Sequence, residues 1–481
     1  MGGVGVLAGV AAGPALAQQV PALVELDLDL VEAGLLVLVE AFAAGLTLEG
    51  VLLFDQGTDT VEDLPVVHGL LRGLGRCSLP AMMPLEPALL HLLVSRARGG
   101  CLGSGMRTRS LLLAALVAAL LLSVAAVPAG AAGPATPRTW GGNSFGELGD
   151  GTTAGRLSAG PVTGLSDATE LAGGREHVLA LRADGSVWTW GSNQYGQQGD
   201  GSTANRPAPG PVAGLAGAVQ VAAGHYHSLA LLGDGTVRAW GMNSQSQLGD
   251  GSRTRRTRPV QVRNLTGVTQ IAGARGHSLA VRNDGSLWAW GYNAFGELGD
   301  GTTTTRGTPV RVPSLTGITQ VAGGRDHSLA LRSDGTVWAF GHNTYGQLGD
   351  GTTGHRSTPV RVGSLTGVVA VAAGAYHSLA LRSDGTVWAW GRNNLGQLGN
   401  GALANRSSPV RVGSLTGAQR ISGGRDHGLA VLADGTVRAW GANTYGQLGD
   451  GTTTRRTSPV TVPNLTGVEL VAAGRAYSAA L

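Results

Sequence analysis

The chain of 481 residues contains no lysine; all 35 of its basic residues are arginine. A compositional bias of the coding sequence accounts for that, and it removes the lysine that a phosphate-binding loop needs. Cysteine is nearly as scarce. Cys77 and Cys101 both precede residue 132, so the remainder depends on no disulfide and holds no thiolate metal site. The carboxylates nowhere show the alternating spacing of a calcium loop. No Ser, His and Asp set stands apart from the repeat described below, and no enzyme activity is expected. From Ala132 onward, 29 Arg meet 20 Asp and Glu, a net charge of +9 spread over many repeats. Weak attraction to acidic partners follows from that, and a nucleic-acid role does not. Arg253, Arg255, Arg256 and Arg258 form one basic cluster without an aromatic platform, which reads as a solvated face.

What is present is a stretch used seven times. Its clearest copy runs from His327 through Asp334-Gly335 and Trp338 to Phe340-Gly341, followed by Asn343, Tyr345, Gly346 and Gly349-Asp350-Gly351. The aromatic before the Gly falls at Trp140, Trp190, Trp240, Trp290, Phe340, Trp390 and Trp440, a step of 50 residues every time. A fixed period of that size means stacked or ring-arranged units, none of which buries its apolar face alone. Within a unit, His277 to Arg282 alternates as a strand, and Asn283-Asp284-Gly285 turns it as a tight hairpin with positive φ at both central residues. Ser286 to Trp290 returns. After a Gly-rich connection, Pro309 to Val312 is a third strand, Leu315-Thr316-Gly317 a turn, and Ile318 to Ala322 a fourth. The expected fold is all-β: a seven-bladed β-propeller of four-stranded antiparallel blades. The first unit lacks its His-Ser strand and the last lacks its Trp strand. Pairing residues 138–141 with 477–481 would complete one composite blade and remove the open sheet edges.

Ahead of the repeats the composition changes. Residues 1–105 carry 11 acidic residues against 4 Arg, with no sustained periodicity. Met106-Arg107-Thr108-Arg109 then leads into an apolar run from Leu111 to Val127, and Ala129-Gly130-Ala131 follows. Basic start, apolar middle and small residues at the end are the parts of a secretory signal peptide. The expectation is therefore a signal peptide at 106–131 with Met106 as the start, 1–105 an over-extended reading frame or disordered segment, 132–137 a linker, and 138–481 the propeller. The competing reading retains 111–127, 17 residues, as a short membrane anchor. A secreted or cell-envelope location follows from the first reading, with no membrane span in the mature chain.

The pattern from Gly374 to Gly401, with His377, Asp384-Gly385, Trp388, Trp390-Gly391, Asn393 and Gly396-Gln397-Leu398-Gly399, resembles the repeat of the regulator of chromosome condensation family. Asn400 stands where that pattern has Asp. The resemblance covers residues 138–481 and implies a seven-bladed propeller closed by strands from both termini. The family's eukaryotic founder is a nuclear exchange factor for a small GTPase that also binds chromatin, and its exchange activity is associated with a protruding β-wedge. The unbroken 50-residue step leaves no room for such an insertion. A guanine-nucleotide exchange factor-like regulator is thus the alternative function. Other members use the two residues inside Gly-x-x-His for recognition.

Those pairs vary here while their frame stays fixed, and a variable loop position on a fixed frame is free to recognise something. Arg and Tyr anchor interfaces, by forked hydrogen bonds and by a rigid ring. The candidate partner-binding residues are Arg175, Glu176, His225, Tyr226, Arg275, Arg325, Asp326, Tyr376, Arg425, Asp426 and Arg475. The bland alternative is a solvated rim in which Arg and Asp neighbours satisfy one another. His177, His227, His277, His327, His377 and His427 recur as frame residues expected to tie adjacent backbone, because metal ligands must converge. The Asp of each Gly-Asp-Gly is expected to cap a turn. The reading is a secreted, monomeric, non-enzymatic scaffold that binds a protein or envelope partner through one end of the ring, with no cofactor, no metal and no nucleic acid.

Overall fold

The computed structural model describes residues 136–481. The signal peptide, the segment 1–105 and most of the linker lie outside the described residues. Twenty-eight strands form seven four-stranded antiparallel sheets, and no helix occurs among the described residues. In one representative blade, Val268–Gly273 is innermost, followed outward by His277–Arg282, Leu287–Gly291 and Arg306–Arg311. Ring closure is as expected. Arg138–Gly141 pairs with Tyr477–Ala480 through Arg138 opposite Ala480 and Gly141 opposite Tyr477, and the composite sheet also contains Arg156–Pro161 and Val471–Ala473.

Three local expectations need correction. The strand expected to begin at Pro309 begins at Arg306. Leu315-Thr316-Gly317 is a crossing between blades, not a hairpin, because Ile318–Gly323 pairs with His327–Arg332 of the following sheet. At Asn283-Asp284-Gly285 only Gly285 has positive φ. The Arg282 N–H donates to the Ser286 carbonyl and the Gly285 N–H to Arg282, which is a three-residue loop ending in a left-handed glycine.

The core consists of seven separate interfaces, each between neighbouring blades. One gathers Leu279, Val281, Leu287, Leu298 and Ile318 around Phe340. The six Trp rings that precede the strand glycine are fully buried, and each donates its indole N–H backward to the preceding unit, as in Trp190 to the Glu147 carbonyl at 2.8 Å and Trp290 to Gln247 at 2.9 Å. The frame histidines perform a second stitch. Their expected partner is backbone; for five of the six the actual one is the serine hydroxyl of the next blade, at 2.9 Å for both His227–Ser278 and His277–Ser328, while His377 faces Gly428. That hydroxyl donates onward to a loop carbonyl, Ser278 to Gln247 at 2.8 Å. The serine proton being committed, the imidazole Nε2–H is the donor. Burial lowers these histidines to about 3, so they are neutral. The glycine three residues before is required: a Cβ at Gly224 would lie 2.1 Å from His227 Cε1.

The seam uses a different stitch. Tyr477 replaces the histidine in the composite blade, and Val178 replaces the serine in the blade after it. The Tyr477 hydroxyl reaches the backbone instead, at 2.6 Å from the His177 carbonyl and 3.1 Å from that of Gly174. On its other side the composite blade is tied by Trp140, which donates to the Gln447 carbonyl of the preceding blade at 2.9 Å.

Candidate binding surface at the channel mouth

In an antiparallel blade, the loop after the first strand and the loop after the third emerge at the same end. The first is the two-residue turn inside Gly-x-x-His. Its leading N–H donates to a carbonyl of the next blade all the way round, from Arg175 to His225 at 3.3 Å through to Arg475 to Arg175 at 3.2 Å. This belt fixes seven side chains around the axis: Arg175, His225, Arg275, Arg325, Ala375, Arg425 and Arg475. They rim a cavity of about 440 Å³ whose deeper walls are glycine and alanine.

The second residue of each turn is linked to the other loop. Its carbonyl accepts the N–H of the residue following the Trp-strand glycine, as in Tyr226 from Met242 at 2.9 Å and Asp326 from His342 at 2.7 Å. The acidic members here are buried: Glu176 is 8 % exposed, Asp326 4 % and Asp426 8 %. Each sits between two arginines. Glu176 accepts from Arg475 at 2.6 Å and pairs with Arg175 at 3.3 Å. Asp326 lies 3.2 Å from both Arg275 and Arg325. Asp426 lies 3.2 Å from Arg425 and 4.0 Å from Arg392, and burial raises its carboxyl above the usual range against the pull of these arginines. Tyr226 and Tyr376 are half-buried, with the guanidiniums of Arg175 and Arg325 each 5.0 Å from a ring centre. Arg175 also donates to the Tyr226 hydroxyl. His225 is kept neutral first by burial, then by Arg175, Arg275 and Arg325.

All eleven candidate residues therefore lie at one end. Residues that the sequence reading passed over join them from the second loop. Tyr195 packs on Tyr226 at 5.0 Å. Around Tyr376 a continuous track runs from Tyr292 to Phe295 at 6.5 Å, to His342 at 4.9 Å, and on to Tyr345, itself 5.2 Å from Tyr376. His355 stacks on His342 at 4.7 Å, and Arg392 lies over Tyr345. Tyr445 is 54 % exposed. The signal was available, since positions 142, 192, 242, 292, 342, 392 and 442 also vary within an unvarying frame.

Elsewhere the recurrent groups are structural. Asp300 accepts the Thr302 N–H at 2.9 Å as a turn cap and also binds the Arg306 side chain at 2.7 Å. Arg256 pairs with Asp250 at 2.8 Å, while Arg253, Arg255 and Arg258 stand exposed. Among the described residues, no three His, Cys, Asp or Glu side chains gather as metal ligands, and no helix is long and apolar enough to cross a membrane.

Comparison with known families matches residues 263–481 to the RCC1-like domain. Two descriptions of the regulator of chromosome condensation (RCC1) repeat match 184–231 and 234–281, and 168–197 and 218–247. Together these run without a gap from 168 to 481. The chain belongs to the RCC1-repeat family. Among solved structures, the RCC1-type propeller is similar to Prp20p of Saccharomyces cerevisiae, at 24% identity and TM-score 0.65, covering 73% of this chain and 91% of that one; that structure was described together with binding properties to Gsp1p and histones. The same yeast protein bound to Kap60 gives 23% identity and TM-score 0.66, covering 73% and 89%. Human WBSCR16 gives 25% and 0.63, covering 72% and 99%. No curated protein sequence matches this RCC1-repeat chain.

Proposed function

We propose that the chain is a secreted, monomeric, non-enzymatic propeller that recognises a protein partner, outside the cell or in its envelope, through the channel-mouth end of the ring. One observation carries the reading: two loops from every blade meet at this end on a fixed backbone frame, and the side chains they vary are largely arginine and aromatic. Those are the types that dominate interface energetics. The buried acids Glu176, Asp326 and Asp426 position the arginines. Binding of named proteins by the yeast relative is in keeping with a binding role, but at 24% identity that likeness bears on the fold. Exchange-factor activity has no separate observation in its favour.

The test is capture by the tagged full chain from culture supernatant and envelope extract, followed by mass spectrometry. Tyr226→Ala with Tyr376→Ala should abolish capture of the main partner. Val369→Ser, 54 % exposed at the start of an inner strand and so at the opposite end, should not. Thermal melts of each variant separate lost recognition from lost folding. Equal capture by the tyrosine variant would mean another face binds. Finding the chain uncleaved in the cytoplasm would remove the secretory part of the reading.

A further inference from the structure

We infer that the arginine-ringed mouth is a receptor for carboxylates, and that an acidic segment of the partner, carrying two or more Asp or Glu side chains, seats in it. This rests on the recognition reading above and names the chemistry of what is recognised. Five of the seven axial positions are arginine, and among the described residues no acidic side chain lines the cavity. The nearest carboxylates are Glu176, Asp326 and Asp426, buried and held by pairs of arginines. With Arg392 included, six guanidiniums share three carboxylates, a net excess of three positive charges. Each guanidinium has five N–H donors, and the contacts to these acids occupy only part of them. Arg275 and Arg425 remain 44% and 45% exposed.

Gathering like charges at the mouth of a narrow bore raises the potential there, and a bound anion relieves it. The neutral state of His225 responds to the same field. The guanidinium fork matches a carboxylate in two parallel hydrogen bonds, and each of these arginines touches its own acid through one nitrogen, which leaves donors of the fork for another carboxylate. Two features favour a polypeptide over a small free anion. The cavity, at about 440 Å³, exceeds what one such ion fills. Tyr226 lines it and Tyr376 lies at the same end outside it, both half-buried flat rings suited to pack on a peptide chain.

The test uses the full chain and a short labelled peptide of alternating Asp/Glu and Gly, against its Asn/Gln counterpart, by fluorescence anisotropy at low and high salt. The acidic peptide should bind at least about tenfold more tightly than the amide one, and added salt should weaken it. The double variant Arg275→Gln/Arg425→Gln, which leaves Asp326 with Arg325 and Asp426 with Arg392, should lose at least about tenfold with its melt preserved. Arg361→Gln, exposed at the far end of an outer strand, should bind as the parent does. Equal affinity for the two peptides, or unchanged binding by the double variant, overturns the inference. So does inorganic tripolyphosphate binding at the mouth where the acidic peptide does not. A captured partner that depends on Tyr226 and Tyr376 yet ignores the double variant sinks this inference and spares the recognition reading. Peptide binding that meets these criteria with no captured partner supports the inference and counts against that reading.

Discussion

Glu297 offers a measurable consequence of the repeat. The same position in five other units is an amide: Gln197, Gln247, Gln347, Gln397 and Gln447. There the side-chain oxygen accepts a loop N–H, as Gln247 does from Gln245 at 2.9 Å. Glu297 accepts from Phe295 in the same way at 2.8 Å, but its other oxygen is buried without a partner. The side chain is 0 % exposed. Burial, partly opposed by backbone hydrogen bonds and reinforced by Asp326, raises its carboxyl from 4.5 to about 8. The unfolded chain ionises this group above 4.5 while the folded chain holds the proton to about 8. The folded state therefore binds more protons across that window, and stability falls as pH rises through it. At about 1.4 kcal/mol per tenfold, the loss is roughly 2 kcal/mol by pH ~6 and roughly 5 kcal/mol once pH exceeds ~8. Glu297→Gln removes it. Guanidinium unfolding of parent and variant, followed by Trp fluorescence, should show a gain that more than doubles between those two pH values. The histidines are common to both proteins and cancel. A gain independent of pH, or a loss, would refute burial as the origin of the raised carboxyl.

Ser278→Ala should cost about 1–3 kcal/mol in the same assay, because it leaves His227 Nε2 buried without an acceptor and removes one of the two donors to the Gln247 carbonyl, the other being Trp290. His377 already lacks this partner, since Gly428 follows in the next blade, so His377→Ala should show no coupling to residue 428 in a double-mutant cycle. Tyr477→Phe removes the one hydroxyl proton that the two seam carbonyls share and should cost about 1–3 kcal/mol, with faster amide exchange concentrated at Gly174 and His177; uniform exchange would contradict a localised seam. Acid should unfold the ring steeply. Five frame histidines sit at about 3 and His377 at about 4, all lowered by burial from 6.5. Their contribution is complete above 6.5 and is lost as pH falls toward those values, with an uptake approaching six protons on unfolding. A flat stability profile between pH ~6.5 and ~4 would exclude that.

Blade number, ring closure and the placement of the variable pairs were legible because each is a property of the period. Seven Trp-strand copies and seven His-strand copies, each missing its partner at one terminus, can only be reconciled by joining the termini. Pairings not written in the period were harder. Leu315-Thr316-Gly317 has hairpin composition, yet whether the chain folds back or crosses to the next blade depends on which strand is already covered on its outer edge. The aromatic track was missed for a related reason. Tyr292, His342 and Arg392 approach the Gly-x-x-His turn through a backbone bond between loops sixteen residues apart, and nothing in the linear pattern marks that bond.

The same frame accounts for where asymmetry accumulates. Trp-to-carbonyl and His-to-Ser stitches reach into the neighbouring blade, so altering one unit disturbs the next. The departures are matched or absorbed locally: Tyr477 with Val178 at the seam, and Gly428 with the Trp440 ring moved close against it. Side chains at the mouth also bridge blades, as Arg475 does to Glu176, but the belt that sets the loops is made by backbone alone. Arginine, histidine and alanine at an axial position all leave it intact. The mouth is consequently uneven, with an aromatic side around Tyr376 and an ion-paired side around Glu176. A partner that reads it meets one orientation, so rotating the recognition residues by one blade, through exchange of the Arg325-Asp326 and Ala375-Tyr376 pairs, should preserve the fold and abolish capture. Retained capture would mean that recognition responds to net charge and not to arrangement.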